Sequence, residues 1–218
     1  MAEEILVSED DLQDQQAALL AAAAGKTNIL IKNHYYLYDD ISMDSAKSLV
    51  VNLSELAMTI VQNSLTTGME LCPIHLHICS PGGDLTAALA IVKLIEDIKI
   101  GKVGGLGSFK VPIEVHTHIE GEADSGASLI ACVGSKRYCS KNALSLIHPM
   151  RVLDASFKTS DEQKQTLENN DRWNKIYKRI YLEHSKLKEK ELEEMFKKEK
   201  FYTPEELVKF GLVDEIED

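Results

Sequence analysis

From residue 111 onward, Val111, Ile113, Val115, Thr117 and Ile119 alternate with period two, the spacing of a strand that buries one face. Just beyond them, Ala127, Leu129, Ile130, Ala131 and Val133 suit a short buried helix. Upstream, residues 29–31 and 35–38 read as strands, and Ser42 and Asp44 supply capping residues for a helix. The buried stripe of that helix is Ala46, Leu49, Val50, Leu53, Leu56, Ala57, Ile60 and Val61. Residues 74–83 read as a strand running into a Pro-Gly-Gly turn, with a helix over residues 84–99 after it, and the apolar run 143–147 predicts a further strand ending at His148. Strands alternating with helices imply parallel strands joined by helical crossovers, an α/β arrangement. Residues 160–200 are strongly helical, with Leu167, Trp173, Ile176, Tyr177, Ile180, Tyr181 and Leu187 as apolar positions. So many large apolar groups on one helical stretch invite association.

A chain of 218 residues and 24.3 kDa, 44% hydrophobic, buries one substantial core and predicts a single domain over residues 29–218. Residues 1–28, acidic and then alanine-rich, form an N-terminal arm before it. A net charge of −11 argues against a nucleic-acid surface, which needs clustered cations. Lys and Arg are frequent over residues 175–200, but they interleave with Glu as on an exposed, ion-paired helix. The apolar run 17–24 is too short to span a bilayer, and acidic rather than basic residues precede it. No membrane association and a cytoplasmic location are therefore expected, with Cys72, Cys79, Cys132 and Cys139 as reduced thiols. The glycines of residues 101–110 lack the Gly-Lys-Ser/Thr ending of a phosphate loop and read as a surface excursion.

The stretch 119–129, I-E-G-E-A-D-S-G-A-S-L, places Ser125 at the junction of a strand and a helix. A hydroxyl there projects from the end of a sheet, and the first free N–H groups of the helix face the point where an oxyanion would form. The plainer reading of Ser125 is a helix N-cap. Partners for chemistry are present in His148, at the end of its own strand, and in the glycine turn at Gly82 and Gly83, where the backbone can approach a substrate closely. Two His-x-His pairs, His75 with His77 and His116 with His118, each put two imidazoles on one strand face, a spacing that could chelate a metal.

The ordered set S-P-G-G, G-E-A-D-S-G-A, I-H-P and F-Y-T-P-E-E-L-V-K-F-G-L-V-D resembles the Clp protease proteolytic subunit family, firmly from residue 74 to 214. The resemblance implies a ClpP/crotonase-like αβ superhelix with a projecting helical handle over about residues 155–200 that interdigitates two rings. It implies Ser125 as nucleophile, His148 as general base, and Gly83 and Gly126 as the oxyanion-hole N–H donors, with no cofactor and no metal. It further implies a chambered homo-oligomer of heptameric rings, fourteen subunits where two rings stack, taking unfolded polypeptides from an ATP-driven unfoldase. The family's catalytic aspartate falls on Met195, and a thioether cannot replace a carboxylate beside an imidazole. Glu199, one turn on if the helix continues, is the first substitute, and Glu194 the second. Asp124 stands where relatives have a small residue, and strand alternation turns it away from the site. Two rivals remain: an inactive structural subunit of a mixed ring, and a capsid-maturation or signal-peptide-type peptidase on the same fold.

Overall fold

Ile74, Leu76, Ile78 and Ser80 are buried while His75, His77 and Cys79 are only partly covered, the period-two burial of a strand with one face on a core. The structure is a computed structural model that describes residues 28–102, 110–150 and 159–218. The arm expected over residues 1–28 lies outside these apart from its last residue. So do most of the glycine-rich excursion and the beginning of the handle.

Strands β1 (Asn28–Ile31), β2 (His34–Leu37), β3 (Ile74–Ser80), β4 (Val115–Ala123) and β5 (Lys136–Ser140) are hydrogen-bonded in that order, and β8 (Glu215–Glu217) closes the far edge. All neighbours from β2 to β8 are parallel, and β1 is an antiparallel edge. A separate antiparallel ribbon pairs β6 (Ser145–Leu146) with β7 (Phe201–Tyr202).

The parallel neighbours need crossovers, and the helices supply them. Helix α1 (Met43–Thr67) starts at a capping box between Ser42 and Ser45 and stops at the left-handed Gly68. Leu49, Leu53 and Ala57 of its stripe are fully buried, whereas Val50 and Leu56 are half-buried at its margin. Helix α2 (Leu85–Lys99) is capped by Asp84, whose carboxylate accepts from Ala87 N–H at 2.9 Å, and it buries Ile91 and Ile95 against the sheet's core face. Helix α3 (Gly126–Cys132) is buried along its whole length.

Two expectations need correction. The alternation from Val111 does not begin a strand there, because Ile113 N–H bonds to Ile98 O at the end of α2, and β4 starts only at Val115. The helical stretch 160–200 is two helices, α4 (Ser160–His184) and α5 (Glu189–Lys198). Ser185 is extended at the break, and Lys186 N–H bonds to Phe210 O at the end of α6 (Pro204–Phe210). A tertiary contact there replaces the next intrahelical bond. Before Tyr177, α4 has no buried side chain, so its N-terminal part stands off the core.

Candidate active site

Ser125 follows the end of β4 after one intervening residue, Asp124, and opens α3 with φ 52 and ψ −119. Such a conformation costs a non-glycine residue about 1–3 kcal/mol and persists only where neighbours enforce it. Its side chain makes no capping hydrogen bond, so the plain N-cap reading does not describe it. The backbone leading into it is clamped. Asp124 N–H donates to Ser80 O at 3.0 Å, and Ser125 N–H donates to Leu146 O at 2.8 Å.

The Pro-Gly-Gly turn after β3 lies against this junction. Gly82 and Gly83 have φ of 88 and 145, a region that side chains disfavour. A Cβ on Gly82 would stand 2.4 Å from Asp124 O and 2.8 Å from Ser125 Cβ, and one on Gly83 would stand 2.2 Å from Ile41 O. Both positions therefore require glycine to let the turn approach the serine. A Cβ on Gly126 would lie 3.9 Å from Gly83 N, which places the two glycine backbones side by side. No acceptor among the described residues takes the N–H of either. Two such donors beside a seryl hydroxyl are what an oxyanion hole requires.

His148 enters from β6, whose Leu146 is already bonded to Ser125. Its Nδ1 lies 2.7 Å from Pro149 O. A carbonyl oxygen can only accept, so Nδ1 carries the proton and Nε2 keeps its lone pair, the tautomer a general base needs. Ser125, Gly83, Gly126, His148, Met150 and Tyr177 line one cavity of about 400 Å³. No hydrogen bond joins Ser125 to His148 in this structure, a common state of catalytic pairs before substrate binds.

The acid is not brought to this cavity. Met195 is 3% exposed and packs in the core on α5. That helix ends at Lys198, and Glu199 caps it with a left-handed φ of 43. Glu199 N–H closes the last turn on Met195 O at 3.1 Å, but the left-handed backbone leaves the helix there, and Glu199 is exposed and does not line the cavity. Glu194 is exposed too and pairs with Lys197 at 3.0 Å. Asp124 is buried and does not line the cavity, yet it does not turn to solvent either: its carboxylate accepts from Leu146 N–H at 2.7 Å. Burial raises the pKa of Asp124, against the opposing effects of that hydrogen bond and the nearby His148.

Sequence reasoning took Tyr177 for one apolar position among several. In the structure it reaches the cavity from α4, is 2% exposed, and makes no hydrogen bond through its hydroxyl. No spacing or motif singles it out, because only the packing of α4 on α3 brings it there.

The paired histidines form a second constellation, on the opposite face of the sheet. Strand register sets His34 beside His75, His75 beside His116, and His77 beside His118. His34 Nδ1 lies 2.8 Å from His77 Nε2, and His75 Nδ1 lies 2.9 Å from His118 Nε2. Among the described residues no three His, Cys, Asp or Glu side chains are grouped as a metal would need.

Compared with solved structures, the chain is similar to a point mutant of ClpP1 from Listeria monocytogenes, with a TM-score of 0.65 and 18% identity over 91% of this chain and 96% of that one. At that identity the likeness speaks for the fold, a ClpP-like α/β arrangement. The profile of the Clp protease family (CLP_protease) matches residues 26–218, a span that contains the strained serine, the glycine turn and the histidine alike. With every described residue inside that match, this protein belongs to the Clp protease family.

Proposed function

We propose that this chain is the serine-type endopeptidase subunit of a Clp-like chambered protease, working through a Ser125–His148 dyad. Substrate binding draws Ser125 Oγ–H onto His148 Nε2. The oxygen attacks the peptide carbonyl, the proton moves to the imidazole, and the N–H groups of Gly83 and Gly126 stabilise the negative oxygen. His148 returns the proton to the leaving amine, and a water activated the same way releases the acyl group. The Pro149 carbonyl holds the imidazole in its working tautomer, the orienting part of what a triad carboxylate does. It cannot supply that carboxylate's charge, so the dyad works more slowly than a full triad.

The observation that carries this reading is the strained Ser125 backbone beside two paired glycine N–H groups. An ordinary helix cap needs neither. By family, the active unit is a ring that encloses the sites and takes unfolded polypeptides, fed in the cytoplasm by an ATP-driven unfoldase.

A fluorophosphonate probe tests it. Intact-mass measurement should show one adduct on the wild type and none on Ser125→Ala, with His148→Ala labelled at least about a hundredfold more slowly. A specific observation, Met195 in place of the acid, favours a second reading as an inactive ring subunit, and a wild type that takes no label would establish it.

A further inference from the structure

The proton transfer from Ser125 to His148 creates an ion pair, and a triad's carboxylate stabilises its positive half. This chain has Met195 where the resembled family has that acid. It does, however, place a phenol beside the negative half. We propose that Tyr177 is a further catalytic residue, whose O–H donates a hydrogen bond to Ser125 Oγ as that oxygen loses its proton. The inference rests on Ser125 being the nucleophile.

Three observations support it. Tyr177 lines the cavity together with Ser125, Gly126 and His148. Its side chain is 2% exposed, yet its hydroxyl makes no hydrogen bond with any described residue, although the hydroxyls of Ser125, Ser128 and Tyr181 stand around it. A buried hydroxyl left unbonded is a cost to the fold, and such costs persist where function needs the group. The neighbouring phenol behaves differently. Tyr181 is satisfied by Ser128 Oγ, which also donates to Ser125 O, so that part of the network is structural.

The proton accounting is simple. The seryl proton goes to His148 Nε2, and Tyr177 keeps its own throughout. Burial pushes its pKa up to about 12, so it remains a donor at any working pH. The ring is fixed by an edge contact with Tyr181 at 5.2 Å and a tilted one with Phe196 at 5.9 Å, which leaves the hydroxyl little freedom to turn elsewhere.

Tyr177→Phe in the full chain removes one oxygen and keeps the ring. Acylation by the fluorophosphonate probe should fall by about tenfold to a hundredfold, the usual effect of a hydrogen bond to a developing charge. The melting temperature should stay level or rise, because no hydrogen bond is lost in the resting state. Tyr181→Phe should behave in the opposite way, losing stability and keeping acylation within about threefold of wild type. Wild-type acylation in Tyr177→Phe overturns the inference, as does a collapse of its fold, which would make the hydroxyl structural. Equal slowing in Tyr181→Phe also overturns it, by assigning the effect to the network. Failure of the peptidase reading itself is told apart by its own sign: the wild type is not labelled, or Ser125→Ala is labelled as well.

Discussion

At the scale of single residues, Ser125 shows a conflict between folding and chemistry. Its left-handed backbone costs about 1–3 kcal/mol, and a glycine would adopt it freely at an entropic cost of about 0.5–1 kcal/mol in the unfolded chain. The strain is the larger quantity, so Ser125→Gly should be more stable to denaturant than Ser125→Ala by about 1 kcal/mol, while neither should take the fluorophosphonate label. Equal stability of the two variants would mean that the backbone at 125 is unstrained. Asp124 belongs to the same conflict. A buried carboxylate whose burial disfavours its charged form is tolerated because it fixes Leu146, and through that strand the position of His148.

Among the elements, the junction of β5, α4 and α6 is held by one side chain. Arg137 binds Asp214 through Nε at 2.9 Å and through its terminal nitrogen at 2.6 Å, and donates to Gly211 O at 2.8 Å and to His184 O. It gathers the C-terminal carbonyls of two helices, which attract cations. Arg137→Ala leaves those acceptors unpaired and should lower stability by about 2 kcal/mol in urea unfolding, with Asp214 contributing little because it is half exposed. Much of the element order was legible in the sequence, since the stripe of α1, the alternation of β3 and the Pro-Gly-Gly turn are local signals. The break at Ser185 was not, because it depends on Lys186 meeting Phe210, a contact that no local period reveals. The same limit explains the site. Ser125, His148 and the glycines lie in recognisable motifs, whereas Glu199 was inferred from a helix assumed to continue, and Tyr177 was set in place by packing alone.

For the whole molecule, the sheet face away from the core gathers five imidazoles. His34, His75, His77 and His118 stack among themselves and with Tyr36 and Tyr138, His116 meets His75 edge-on, and Glu114, Glu120 and Glu217 lie at the margins. Burial, with mutual repulsion, lowers the pKa of His34 and takes His75 down to about 4; burial also lowers His118, against the pull of Glu217. Between that value and the ordinary 6.5, the unfolded chain binds more protons than the folded one, so stability must fall as pH drops through this window. Urea unfolding from pH 7 to pH 4 should show that loss, and His75→Gln should flatten it. A slope unchanged by the substitution would remove the histidine face as its cause.

The closing of the sheet by β8 also has a consequence in time. Arg137 and Asp214, at the start of that pairing, are 77 residues apart in the chain. At about 5–20 residues per second, a ribosome needs roughly 4–15 s to pass from one to the other. For that interval β5 offers an unpaired edge to any other nascent chain on the same messenger.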